Sequence, residues 1–273
     1  MKILTLPLEE SMGENKPYLR AFLQDKMPAD PPEYALPAVV VCPGGGYTHL
    51  SPREGEPIAM AFAAKGYQVF ILYYSLLPKI FPQPLLDAAK AMSMIRSHAQ
   101  EWSVDPHRIA MCGFSAGGHL TAALSTLWKD PVITQAGLVP EEVRPDAAIL
   151  GYAVMSEAGG KTLRSRLVEG SFAPETADRA SNLPQYVTED NPPTFLWHTA
   201  TDQTVPVANS LLMTQALYEH HVPVELHVFP RGQHGLALAT EWTMNGNPDM
   251  VLPEVAHWMD LCCDWLKRTL PDA

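Results

Sequence analysis

From Ala35 to Leu270 the chain alternates between short apolar runs and segments of helical periodicity. That rhythm limits the possible folds more than any other feature. The runs "ALPAVVVC", "YQVFILYYS", "RIAMCGF", "DAAILGYAV" and "TFLWHT" have strand length and little polar alternation, and "VELHVFP" has strand length. Strands of that kind are buried on both faces. Between them lie helical patterns. "EGEPIAMAFAAKG" has an acidic start, Pro57 in its first turn and Gly66 at its stop. "PLLDAAKAMSMIRSHAQEW" places Leu85, Leu86, Ala89, Met92 and Ile95 on one face. "VANSLLMTQALYEHH" and "VAHWMDLCCDWLKRTL" are further helices. Strands separated by helices pair in parallel, because each helix carries the chain back to the starting edge. The expected class is α/β: a mostly parallel central sheet with helices on both faces. No repeat or low-complexity linker divides the chain, so residues 1–273 are expected to form one domain. Residues 156–191 break the rhythm with a polar stretch punctuated by Pro and Gly. They follow a strand, and the crevice of an open α/β sheet lies at the carboxyl ends of its strands. They are expected to be a surface insertion or a short cap.

One junction carries chemistry. In "RIAMCGFSAGGHL" an apolar strand runs through Gly113-Phe114-Ser115-Ala116-Gly117 into a helix-forming segment. This is G-x-S-x-G in the strand–turn–helix setting that the motif requires. Ser115 is expected at the tip of a tight turn, with the flanking glycines allowing neighbouring backbone to approach. Ala116 starts the helix, so its N–H has no partner within the helix and points where negative charge is favoured. A second glycine cluster, Gly44-Gly45-Gly46, ends an earlier strand. A tetrahedral intermediate needs at least two backbone donors; Gly45, Gly46 and Ala116 are the candidates. A serine nucleophile also needs a base, and the base an orienting carboxylate. Asp202 follows the strand "TFLWHT" and His234 follows "VELHVFP". Taken separately, Asp202 could simply cap a helix and His234 could be a solvated loop residue. Together with Ser115, each stands beyond a different strand in the order Ser…Asp…His. His119 lies one turn into the helix after Ser115, His198 at the end of its strand, His220 and His221 at a helix end, and Asp190 ahead of a strand. All are less well placed.

Composition narrows the partners. The formal net charge is −11 and there is no basic run, which disfavours nucleic acid and anionic membrane surfaces. No apolar run approaches the ~18 residues of a membrane span. "MKILTLPLEE" turns acidic too soon for a signal peptide. The four cysteines show no paired spacing and read as reduced thiols of a cytoplasmic protein. No CxxC, HExxH or clustered-Asp pattern indicates a metal.

"CPGGGY", "GFSAGGHL", "HTATDQTVP" and "GQHG" together resemble the α/β-hydrolase esterases and lipases, in particular the small bacterial carboxylesterases and acetyl-xylan-esterase-like proteins. The resemblance runs from about Ala38 to the C-terminus. It implies an α/β-hydrolase fold with Ser115 as nucleophile, Asp202 as acid and His234 as base. It also implies hydrolysis of short-chain acyl esters, acetyl above all, of small alcohols or sugars through an acyl-enzyme, with no cofactor. Pro43 departs from the pattern, standing where many relatives have a histidine before the glycines. The partner expected is a small-molecule ester, and a homo-oligomer is left open. The alternatives are a serine peptidase of the same fold and a non-catalytic ligand-binding relative.

Overall fold

The apolar runs form the centre of one eight-stranded sheet. In the computed structural model, residues 1–9, 16–27, 29–31, 34–77, 81–158, 167, 169 and 171–271 are described. The strands are β1 (Lys2–Pro7), β2 (Tyr18–Leu23), β3 (Leu36–Cys42), β4 (Gln68–Tyr73), β5 (Val104–Phe114), β6 (Ala147–Gly151), β7 (Thr194–Thr199) and β8 (Val224–Phe229). Their spatial order is β1-β2-β4-β3-β5-β6-β7-β8. From β4 to β8 every pairing is parallel, as the strand–helix alternation predicts.

Successive side chains of a strand point to opposite faces, and here both faces are covered. Val40, Phe70, Leu72, Met111 and Leu196 face one core with Leu85 and Met92 of α2 (Gln83–Ser97) and Leu120 and Leu124 of α3 (Ala116–Leu127). Their neighbours Val39, Val41, Ile71, Cys112 and Phe195 face the other core with Ile58 and Phe62 of α1 (Glu56–Ala63) and with Trp258 and Leu266 of the C-terminal helix, Trp258–Thr269. Each such side chain, fully buried, contributes about 1.5–3 kcal/mol. That two-sided burial is why the runs that form β3 to β7 lack polar alternation; β8, at the edge of the sheet, is only half-buried and carries Glu225 and His227.

The N-terminal hairpin is an addition that the strand–helix rhythm does not contain. β1 pairs antiparallel with β2, and β2 antiparallel with β4. β1 is a half-exposed edge strand of six residues, too short to give a strong periodic signal. All four cysteines are buried and free, and burial pushes the Cys42 thiol up to about 12. Among the described residues no helix is long and apolar enough to cross a membrane.

The expected insertion at 156–191 lies partly outside the described residues, at 159–166, 168 and 170. Its described part contains a short helix, Pro174–Ala180, and a 3-10 turn, Leu183–Tyr186. The Leu183 N–H donates to the Met155 carbonyl at 3.0 Å, and the Ser171 hydroxyl to the Phe81 carbonyl at 2.6 Å. These bonds tie it to segments at the carboxyl end of the sheet.

Candidate active site

Four strands of the parallel sheet end at the same rim, and each hands over a candidate residue. β5 runs directly into Ser115, whose φ of 53° and ψ of −116° lie in a region that costs about 1–3 kcal/mol for a non-glycine residue. The surrounding backbone leaves no room for side chains. A Cβ on Gly113 would meet the Gly117 carbonyl oxygen at 2.1 Å, and one on Gly117 would meet the Cys42 carbonyl oxygen at 2.0 Å. The two glycines of the motif are therefore steric requirements of a tight strand–helix turn. The Ser115 N–H donates to the Gly151 carbonyl at 3.1 Å, and the Ser115 carbonyl accepts from the His119 N–H at 2.9 Å. The strained residue is held on both sides.

The three residues expected to act together do meet. The Ser115 hydroxyl is 2.8 Å from His234 Nε2, and His234 Nδ1 is 2.7 Å from Asp202 Oδ2. A carboxylate only accepts, so Nδ1 carries the proton and the Nε2 lone pair faces the hydroxyl. Asp202 is buried, and its other oxygen, Oδ1, accepts from the Thr204 and Val205 N–H groups, each at 2.9 Å. Oδ1 thus holds the turn after β7 and caps no helix: the next helix, Ala208–Glu219, begins after Val207 with no side-chain cap, so the helix-cap reading of Asp202 does not hold. Burial alone would raise its pKa. Hydrogen bonds from His198 and His234 outweigh burial and hold the carboxyl well below the usual carboxylate range.

His198 adds something that its place in the sequence does not reveal. It is fully buried, with Nε2 2.9 Å from the Val205 carbonyl and Nδ1 2.8 Å from the Ser210 hydroxyl. The carbonyl can only accept, so Nε2 carries the proton, and it also lies 3.4 Å from Asp202 Oδ2. A second imidazole N–H thus faces the carboxylate oxygen that orients His234.

The glycine triplet divides its work. The Gly44 N–H donates to Glu54 Oε2 at 2.7 Å, which takes it out of reach of a substrate. A Cβ on Gly44 would come within 2.9 Å of the Ser115 Cβ, so this loop lies against the nucleophile. Gly45 and Gly46 have φ of 129° and 63°, in the region that favours glycine. Neither N–H donates to a loop or turn carbonyl among the described residues. The Pro43 carbonyl accepts from the Tyr74 hydroxyl at 2.6 Å.

Glu54 is the other residue that pattern reading misses. It is buried, and its second oxygen accepts from the Tyr152 hydroxyl at 2.7 Å. The Tyr152 hydroxyl accepts in turn from the Ala237 N–H at 3.0 Å, and the Tyr152 ring packs edge-on against His234 at 5.0 Å between centroids. Arg53 Nη1 donates to the Gly235 carbonyl at 2.6 Å. The consecutive pair Arg53-Glu54 therefore links the glycine loop to the loop that carries His234. In the sequence it is an unremarkable "PREGEP", because its link to the His234 loop runs through Tyr152 and Gly235, 98 and 182 residues away.

His119 performs a related task on the opposite side. Its Nε2 donates to the Ala180 carbonyl at 2.9 Å, so its Nδ1 accepts from the Tyr47 hydroxyl at 2.7 Å. The imidazole thereby bridges the 156–191 segment and the residue that follows the glycine triplet. Burial pushes its pKa down from 6.5 to about 4, against a weaker opposing pull from the Ala180 carbonyl. Between those values the unfolded chain binds a proton that the folded chain refuses. Stability is therefore complete above about pH 6.5 and declines toward pH 4, with about 2 kcal/mol lost by pH 5. Urea midpoints are expected to fall accordingly from pH 7.5 to pH 5. His119→Gln, whose amide can keep both hydrogen bonds, is expected to flatten that slope. An unchanged slope in the variant contradicts the assignment.

The BD-FAE family model matches residues 26–217, well over half of the chain. The chain belongs to the BD-FAE family. Among solved structures with which the BD-FAE chain aligns over nearly its whole length is the carboxylesterase Cest-2923 from Lactobacillus plantarum. The two are 30% identical with a TM-score of 0.86, and the alignment covers 100% of this chain and 99% of that one. An acetyl ester-xyloside bifunctional hydrolase from Caldicellulosiruptor lactoaceticus is 33% identical with a TM-score of 0.78, over 97% of this chain and 96% of the other. MGS-M1, an α/β-hydrolase enzyme from a deep-sea metagenome library, is 33% identical with a TM-score of 0.81 over 99% of this chain and 98% of that one, and with the sheet described above this likeness places the chain in the α/β-hydrolase fold. An acetylxylan esterase of Xylanibacter ruminicola is 27% identical over 229 residues, which make up 81% of this chain and 45% of that protein. The chain spans between about a third and a half of the length of three curated relatives it matches.

Proposed function

We propose that this chain is a serine carboxylesterase that removes short acyl groups, acetyl above all, from small alcohols or sugars. The observation that carries the reading is the unbroken hydrogen-bond chain from Ser115 through His234 to Asp202. His234 Nε2 takes the hydroxyl proton as Ser115 Oγ attacks the acyl carbonyl. The N–H groups of Gly45, Gly46 and Ala116 receive the oxyanion; one such donor typically contributes 10²–10³ in rate. His234 then gives its proton to the leaving alcohol. Water, deprotonated by the same imidazole, releases the acid from the acyl-enzyme. Asp202 keeps His234 in its working tautomer and stabilises the imidazolium. None of these steps calls on a cofactor.

Support for the acyl and alcohol preference comes from relatives whose names include acetylxylan esterase and acetyl ester-xyloside hydrolase. A series of 4-nitrophenyl esters tests it. Expected is a kcat/KM that is highest for acetyl to butyryl and at least tenfold lower at octanoyl, with acetylated xylo-oligosaccharides also deacetylated. A maximum at octanoyl or beyond would overturn the short-chain reading. Efficient cleavage of aminoacyl amides would favour the peptidase alternative.

A further inference from the structure

Gly44 is held at both of its backbone polar groups by one short segment. Its N–H donates to Glu54 Oε2 at 2.7 Å, and its carbonyl accepts from the Ser51 N–H at 2.9 Å. Ser51 precedes and Glu54 ends the 3-10 turn Pro52–Glu54, and the Glu54 N–H donates to the Ser51 carbonyl at 3.1 Å. The grip governs the next residue. A peptide unit is planar and trans, so the Gly45 N–H points opposite to the Gly44 carbonyl. With that carbonyl fixed on Ser51, the Gly45 N–H faces away from the turn, and it donates to no loop or turn carbonyl among the described residues. The Gly46 N–H has a different anchor. The Gly45 carbonyl, which shares its peptide, accepts from the Thr48 N–H at 3.1 Å and from the Thr48 hydroxyl at 2.9 Å. The two candidate donors of the glycine loop are thus aimed by two separate frames.

The frame around Gly44 is built on a buried acid. Glu54 is 3% exposed. A buried carboxylate is costly unless its oxygens are hydrogen-bonded, and here both are, the second by the Tyr152 hydroxyl at 2.7 Å. That hydroxyl also accepts from the Ala237 N–H, three residues past His234, and Arg53 of the same turn holds the Gly235 carbonyl. The turn is therefore braced against the loop that carries the base. Hydrogen bonds to an ionised acceptor are shorter and stronger than neutral ones, so a carboxylate holds Gly44 more stiffly than a main-chain carbonyl would. Stiffness matters at this residue, because its backbone lies against Ser115. We infer that Glu54 and Ser51 are positioning residues, which clamp Gly44 from both sides so that the Gly45 N–H is preset for the oxyanion formed when Ser115 attacks. This rests on the esterase reading above and extends it to residues outside the triad and the donor set.

The test combines turnover of 4-nitrophenyl acetate with inhibition by a trifluoromethyl ketone. A serine adds to the ketone carbon and leaves an oxyanion that the same donors must receive, so its affinity reads their alignment. Glu54→Leu fills the site without offering an acceptor to the Gly44 N–H. It is expected to lower kcat about a hundredfold, in the range typical of a lost oxyanion donor, with KM within about threefold and ketone affinity reduced by a similar factor. Glu54→Gln, whose amide oxygen can accept from Gly44, should restore most of both. Ser51→Pro removes the other bond alone, since Ser51 has a φ of −71°, which proline adopts. It is expected to lower kcat and ketone affinity together, at least tenfold. Rates are taken per folded chain, measured by near-UV circular dichroism. The two variants act on opposite sides of Gly44, so a fold lost in one leaves the other to decide. A kcat within fivefold of wild type in folded Glu54→Leu or Ser51→Pro overturns the inference. So does a fall in kcat with unchanged ketone affinity, which would mean that these residues support the fold and not the oxyanion donors. A wild-type protein that hydrolyses no ester overturns the esterase reading itself, and the inference with it.

Discussion

Ser115→Ala is expected to lower kcat for 4-nitrophenyl acetate by about 10⁶-fold and to abolish the pre-steady-state burst. The size follows from what the hydroxyl does. In the proposed mechanism it is the atom that bonds to the acyl carbon, and neither His234 nor the Gly45, Gly46 and Ala116 donors can replace it. What remains is water attack on an ester held in a preorganised site, which typically retains about 10³–10⁴ over the uncatalysed rate. The fold is expected to survive. Alanine removes only Oγ, while the hydrogen bonds of residue 115 to Gly151 and His119 are made by backbone. The φ of 53° is unchanged by the substitution, so its strain stays. A urea midpoint close to wild type should therefore accompany the loss of turnover. Loss of less than tenfold would place the nucleophile elsewhere.

Asp202→Asn is expected to lower kcat by about 10⁴-fold with little change in KM; that magnitude is the one known for the corresponding change in a serine protease triad. The structure supplies the reason. An asparagine here must put its carbonyl oxygen where Oδ1 now is, because the Thr204 and Val205 N–H groups both donate to that position. The amide NH₂ then falls in the Oδ2 position, facing His234 Nδ1. Two donors cannot share a hydrogen bond, so His234 must accept at Nδ1 and carry its proton on Nε2. A protonated Nε2 presents N–H to the Ser115 hydroxyl and cannot take its proton. The same NH₂ also faces the His198 Nε2 proton, so a modest loss of stability should accompany the loss of rate. Activity within tenfold of wild type contradicts a role for Asp202 as the orienting carboxylate.

The parts of this site that were legible in the sequence share one physical property: each announces itself locally. Ser115 follows an apolar run with glycines on either side, and those glycines are required by contacts within the turn and the adjacent strand. Asp202 and His234 each stand just beyond a strand of the parallel sheet, β7 buried throughout and β8 half-buried at the sheet's edge. The remaining residues acquire their roles through contacts that the folded chain makes and their immediate neighbours in sequence do not show. Glu54 is buried by Gly44 and Tyr152, His198 by a loop that folds back through Val205 and Ser210, and His119 by Tyr47 and the 156–191 segment. Nothing in their neighbours distinguishes a buried glutamate from a solvated one. The N-terminal hairpin escaped for a related reason. Its six-residue strands owe their pairing to the edge offered by β4 rather than to a strong pattern of their own.

The claim that Ser115 is a nucleophile activated by His234 is tested most directly by covalent labelling. The wild-type protein is treated with a fluorophosphonate, its intact mass is measured, and the modified peptide is sequenced. One adduct per chain is predicted, on Ser115, formed in parallel with loss of esterase activity. The adduct should be absent from Ser115→Ala and formed at least a hundredfold more slowly in His234→Ala. An adduct on another residue, or complete inactivation with Ser115 unmodified, would contradict the account.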